Sequence, residues 1–172
     1  MIEIILSKHF FKEQAKLLKP YILDIAEVAN KLYARGYDYQ TKIFAGIYYI
    51  IKEKNLPITV RSISKVVKIQ KIRRILEKSG IKLSQVDRYE KVGKYIEFIL
   101  NALNIDVNKE AIIERCISDL KKVENKVNDD LAFVCAWLFY NGFVREIDLA
   151  RLTGVSEVTI RNYRKFVKIS NE

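Results

Sequence analysis

By length, the chain of 172 residues is one ordinary domain or two small ones. Apolar residues at 49% and charged residues at 30% allow a folded core, while two prolines and six glycines exclude a Pro/Gly-rich linker, a collagen-like repeat and a turn-dense β-sandwich. Two cysteines make neither a disulfide framework nor a four-cysteine zinc site, and the net charge is +10.

The first residues, Met1-Ile2-Glu3-Ile4-Ile5, place an acid where a signal peptide carries bases, and the apolar stretch there is too short for one. Apolar spacing predicts helices over about 3–18, 21–35 (Ile22, Ala26, Ala29, Tyr33), 41–54, 60–67 and 70–80. From Ile43 to Ile51 the segment is apolar nearly all round, so its helix must be surrounded by others. A strand over Ile47–Ile51 is the weaker reading, because no neighbouring run offers period-two partners. After Leu83–Asp87, where the apolar spacing breaks, a second series follows. It runs over about 89–104 (Val92, Ile96, Ile99, Leu103), 108–124 (Ile113, Cys116, Leu120, Val123), 129–142, 145–152 and 156–169. Its third member contains the longest apolar run, Leu131 to Tyr140, roughly half of a membrane span. Two series of five helices with an apolar central helix in each predict an all-α fold of duplicated modules, 1–84 and 87–172. The expected setting is soluble, reducing and intracellular, with no membrane.

Charge is divided unevenly between the halves. Residues 1–86 hold 13 Lys and 4 Arg against 7 acids, a net +10, whereas residues 87–172 hold 8 Lys and 6 Arg against 14 acids and balance to zero. Within 59–82, Arg61, Lys65, Lys68, Lys71, Arg73, Arg74, Lys78 and Lys82 face one acid, Glu77. Such a field suits a phosphate backbone or an acidic protein partner, and a solvated surface explains it as well.

The segment from Arg145 to Lys168 has the layout of a helix-turn-helix. A short helix ending at Thr153 meets a turn at Gly154-Val155, and Ser156 can cap the next helix. Ile160, Tyr163 and Val167 form the expected packed stripe, leaving Val158, Arg161, Asn162, Lys165 and Lys168 on the other face. In a DNA-binding unit of this kind the start of the second helix reaches base edges. Arg161 can bond a guanine bidentately and Val158 can touch a thymine methyl. Arg164, Lys165 and Lys168 suit phosphates. The same geometry is also a plain way to pack two helices, and bases near a helix C-terminus suit its dipole.

The run Gly154-Val155-Ser156-Glu157-Val158-Thr159-Ile160-Arg161-Asn162 resembles the signature ending the second cyclin-like repeat of archaeal transcription factor B, the counterpart of general factor IIB. Leu131 to Arg151 is similar to that family's central helix and the short helix after it. Ala45-Gly46-Ile47-Tyr48-Tyr49-Ile50, Leu56-Pro57-Ile58-Thr59 and Ile63-Ser64-Lys65-Val66 fit its first repeat. The resemblance implies two tandem five-helix cyclin-like repeats, the second ending in the helix-turn-helix. No catalytic constellation in the sequence supports an enzyme, and no cofactor is expected. The resemblance also implies promoter double-stranded DNA and the TATA-binding protein as partners, with RNA polymerase at one further remove, and hence a cytoplasmic, nucleoid-associated protein. Val158 and Arg161 would read bases. Lys65, Lys68, Lys71, Arg73 and Arg74 would meet the TATA-binding protein or DNA. Family members begin with a zinc ribbon, for which Cys116, Cys135 and His9 provide no ligand set. The 172 residues thus correspond to the core alone, either of a longer factor or of a stand-alone modulator of initiation. Gly36-Tyr37-Asp38-Tyr39-Gln40-Thr41 replaces the family's Gly-Arg-Ser-like loop, and the first repeat's helix-turn-helix is about two residues shorter than the second's. The rival reading is a cyclin-fold interaction scaffold that does not read DNA.

Other candidate chemistry is weak. His9 lacks spaced companions, Cys116 and Cys135 lie on apolar stripes, and Asp129-Asp130 sit where a helix should start. Trp137 belongs to an aromatic core segment, and Tyr37 and Tyr39, in an expected loop, could stack on bases or a partner.

Overall fold

The computed structural model describes residues 1–32 and 35–171. All regular structure among them is helical, and the chain divides into two compact units, Met1–Gln85 and Val86–Glu172. The first unit contains α1 (Ile2–His9), α2 (Lys12–Leu18), a 3-10 turn (Lys19–Tyr21), α3 (Ile22–Lys31), α4 (Tyr39–Glu53), α5 (Arg61–Ser64) and α6 (Ile69–Lys78). The second contains α7 (Arg88–Ala102), α8 (Lys109–Val123), α9 (Asp130–Tyr140), α10 (Glu146–Thr153), α11 (Glu157–Asn162) and α12 (Arg164–Ser170). Among the described residues no helix is long and apolar enough to cross a membrane.

Each unit is built on its most deeply buried helix. In α4, nine residues between Thr41 and Ile51 are buried, and in α9 every residue from Leu131 to Leu138 is buried. Both helices are started by an aspartate. Asp38 Oδ1 accepts the Thr41 N–H at 2.7 Å, and Asp129 Oδ1 accepts the Ala132 N–H at 3.1 Å. Both are closed by a left-handed residue followed by an apolar one. After Asn55 (φ 53) the Leu56 N–H returns to the Ile51 carbonyl, and after Gly142 (φ 79) the Phe143 N–H returns to that of Leu138. Helix α3 packs most extensively on α4, where Gly46 permits close approach: a Cβ there would lie 2.8 Å from the Ile25 carbonyl oxygen. In the second unit α10, α11 and α12 all pack on α9, and α12 also lies on α8.

Several boundaries depart from the expected ones. The helix expected over 3–18 breaks at Phe10 and Phe11, which are extended. Phe10 buries its ring on Phe44, and the buried Gln14 side chain accepts the Phe11 N–H at 3.2 Å, restarting the helix. The segment expected over 21–35 is helical to Lys31, and Tyr33 lies outside the described residues. Its buried face is Ile25 and Ala29 rather than Ile22 and Ala26. On α8 the buried position is Ile112, with Ile113 half-buried. The helix expected over 60–67 shrinks to the single turn of α5. The one expected over 156–169 is interrupted at Tyr163 (φ −81, ψ −5), so that α12 can bury Val167 and Ser170. Tyr39 is the first residue of α4, not a loop residue.

Candidate nucleic-acid interface

The turn between α10 and α11 is fixed by three local devices. Gly154 takes φ +80, a left-handed conformation that a side chain disfavours. Ser156 Oγ accepts the Thr159 N–H at 3.1 Å and caps α11. Thr153, fully buried, donates its hydroxyl to the Leu149 carbonyl at 2.7 Å and accepts the Val155 N–H at 3.1 Å. Sequence reasoning found the first two and missed Thr153, which reads only as the last helical residue. Ile160 is fully buried on α9, so the opposite side of α11 faces solvent. There Val158 is 63% exposed and the Arg161 side chain 60% exposed.

Arg161 is not unattended on this face. Its Nη2 donates to Glu146 Oε1 at 2.6 Å and its Nε to Glu146 Oε2 at 3.3 Å, while Glu157 Oε2 lies 3.8 Å from Nη2. The Glu146 carboxylate holds the guanidinium pKa above its usual value. Glu146 is the first residue of α10, so this bidentate contact ties the two helices together. The sequence reading missed both acids; the four-residue spacing of Glu157 and Arg161 is the signal that could have found the first. Glu146, fifteen residues away, emerges only once the two helices are placed against each other. Arg164 lies over the Tyr140 ring at 5.4 Å and Lys165 over Phe166 at 5.1 Å. Among the described residues, Arg164, Lys165 and Lys168 have no acid within 4 Å.

The first unit's bases lie on and before α6. Ile72, Ile75 and Leu76 face the core, leaving Lys71, Arg74 and Lys78 exposed at spacings of three and four. Lys65 and Lys68 are exposed in the turn before it. Lys71 sits 5.6 Å over the Tyr37 ring, and Arg73 Nε donates to the Tyr48 hydroxyl at 3.4 Å. Among the described residues none of these bases pairs with an acid. Beside α6 runs an open groove of about 290 Å³, apolar at Leu76, Ile81 and Leu83, with Arg73, Lys82 and the acid Glu77 along it.

The remaining candidates are structural in their surroundings. His9 packs edge-on against Phe44 at 5.4 Å. Cys116 and Cys135 are fully buried, and burial pushes both thiols up, Cys135 to about 12. Asp129 caps α9, and Asp130 pairs with Arg88 at 2.7 Å and Lys91 at 3.2 Å. Trp137 is fully buried, donates Nε1–H to Asp119 at 2.8 Å, and stacks on Phe143. Among the described residues no group of three or more His, Cys, Asp or Glu could hold a metal ion.

Comparison with protein-family models, curated proteins and solved structures finds no match to the chain. The likeness to transcription factor B therefore rests on the residues quoted for it.

Proposed function

We propose that the chain binds promoter DNA together with the TATA-binding protein, as a protein of the transcription factor B kind. In this reading Val158 and Arg161 meet base edges in the major groove, and Arg164, Lys165 and Lys168 approach phosphates. Lys65, Lys68, Lys71, Arg73 and Arg74 meet the acidic partner or the flanking DNA. One observation carries the reading: a turn pinned by Gly154, Thr153 and Ser156 presents Val158 and Arg161 outward from α11 while Ile160 anchors it on α9. The groove beside α6 supports a protein partner there, since an apolar cleft suits a side chain better than a phosphate.

The scaffold reading has one observation in its favour. Arg161 already has internal partners in Glu146 and Glu157, as a purely structural arginine would. A gel-shift titration on TATA-box DNA with a purine-rich upstream flank, with and without the TATA-binding protein, separates the two. The DNA reading expects a cooperative ternary band weakened by Arg161→Ala, by about 1–3 kcal/mol with relaxed specificity. Absence of a ternary band at modest salt defeats it and leaves the scaffold.

A further inference from the structure

We infer that Glu146 is a specificity determinant of the α10–α11 surface, one that turns Arg161 from a phosphate anchor into a base reader. The inference rests on base reading by α11. Its geometric basis is which edge of the guanidinium is occupied. Glu146 takes the side edge, Nε and one Nη2 proton, at 3.3 and 2.6 Å. Among the described residues Nη1 has no hydrogen-bond partner, and Glu157 Oε2, at 3.8 Å from Nη2, is beyond hydrogen-bond distance, so the end edge formed by Nη1 and the second Nη2 proton makes no hydrogen bond within the chain. That end edge fits two adjacent neutral acceptors, such as O6 and N7 of guanine. The Glu146 side chain is only 13% exposed, so the half-buried carboxylate holds the fork in one orientation rather than swinging with it.

Charge completes the selection. Arg161 with Glu146 and Glu157 sums to one negative charge, so a phosphate approaching the free edge meets two carboxylates nearby. A purine edge has no net charge to be repelled. Phosphate contacts then fall to Arg164, Lys165 and Lys168, which have no acid within 4 Å among the described residues. The acids make nonspecific binding weaker and leave reading intact, a selection against the wrong partner.

The test is fluorescence anisotropy on two labelled duplexes over a salt series: one with the TATA box and purine-rich flank plus TATA-binding protein, one of random sequence alone. Glu146→Gln keeps the size and one acceptor but removes the charge. It should bind the random duplex several-fold more tightly, steepen its log–log salt slope by about one unit as Arg161 gains a phosphate, and lower the ratio between the two duplexes about tenfold. Glu157→Gln, at a more exposed site, should move the same quantities in the same direction by less. Circular dichroism of each variant checks folding. An unchanged slope and ratio in both variants, with Arg161→Ala still lowering the ratio, overturns this inference and leaves base reading standing. Failure of Arg161→Ala to change the ratio, or of the unsubstituted chain to bind either duplex, overturns both.

Discussion

Two mid-helix glycines provide a test in which packing and backbone entropy pull in opposite directions. In an unconstrained helix interior, Gly→Ala stabilises by about 1 kcal/mol. At Gly46 in α4 the new methyl would stand 2.8 Å from the Ile25 carbonyl oxygen and 3.3 Å from Ile25 Cγ2. The nearer atom is backbone of α3, which cannot rotate away, so the two helices must separate by several tenths of an ångström. Overpacking of this kind costs about 1–3 kcal/mol, and the immobile neighbour places Gly46→Ala at the upper end, for a net loss of about 2 kcal/mol. At Gly93 in α7 the nearest atom is a side-chain methyl, Ile113 Cγ2, at 3.4 Å, an ordinary contact. Gly93→Ala should therefore keep most of the helix-propensity gain. For a unit of this size a change of 1 kcal/mol moves Tm by about 4–8 °C. Thermal and urea unfolding followed by circular dichroism should show Gly46→Ala melting about 8–16 °C lower and Gly93→Ala several degrees higher. Two variants of the same sign, or a neutral Gly46→Ala, would refute the close approach of α3 and α4.

Three further outcomes follow from particular contacts. Replacing Lys71 and Arg74 together by Glu should cost little stability, because neither has an acid within 4 Å among the described residues and the loss is confined to the Lys71 contact with the Tyr37 ring and its longer-range attraction to Asp38, and should reduce the salt slope of DNA binding by about one unit for each phosphate contact removed; an unchanged slope would assign those bases to a protein partner. Glu53 accepts the N–H and hydroxyl of Ser84 at 3.0 and 2.6 Å, and these bonds hold its carboxyl below the usual value. A lowered folded-state pKa means that the contribution is present above the ordinary carboxylate value of about 4.3 and is lost as pH falls through the folded one, so the stability gap between the natural chain and Ser84→Ala should close toward pH 3; a constant gap would mean that the carboxylate charge is irrelevant. Neither Cys116 nor Cys135 should be alkylated in the native chain at pH 8, since both are buried and burial holds the thiols neutral, whereas both should label in urea; native labelling at the rate of a free thiol would contradict that burial.

What the sequence disclosed was what depends on neighbours in the chain. The apolar character of Ile43–Ile51 and Leu131–Tyr140, the Ser156 cap and the left-handed Gly154 are local properties, and each stands where expected. The break at Phe10 and Phe11 was not legible, because two aromatics end a helix here only through burial of Phe10 on Phe44 and a side-chain cap from Gln14. Tyr163 has no helix-breaking chemistry of its own, and the axis turns there to seat α12 on α8 and α9. Arg88, the first residue of α7, carried no sequence signal of its role. It reaches the Glu124 and Val127 carbonyls at 3.0 and 2.9 Å as well as Asp130, partners 36 to 42 residues away that no local pattern announces.

The charge split read along the chain conceals a distinction that matters more for binding. Net charge counts cations, but a cation attracts an external anion only to the extent that no internal acid has already claimed it. Along α6 no base has an acid within 4 Å among the described residues, so the charge of these bases is largely available at the surface. In the second unit Arg145 is held by Asp148 at 2.8 Å, Arg88 by Asp130 and Arg161 by Glu146. The balance of zero there is achieved in part by contact, not only by bookkeeping over distance. Under the proposed function the two units then govern separable measurements. Bases of the first unit set the strength and salt slope of a contact that does not depend on sequence. Arg161, with its charge already answered, adds little to that slope, and its effect lies in the ratio between correct and random duplexes. A variant that changes slope without ratio belongs to the first class, and one that changes ratio without slope belongs to the second. Glu146→Gln is the substitution expected to change both, because it returns Arg161 from the second class to the first.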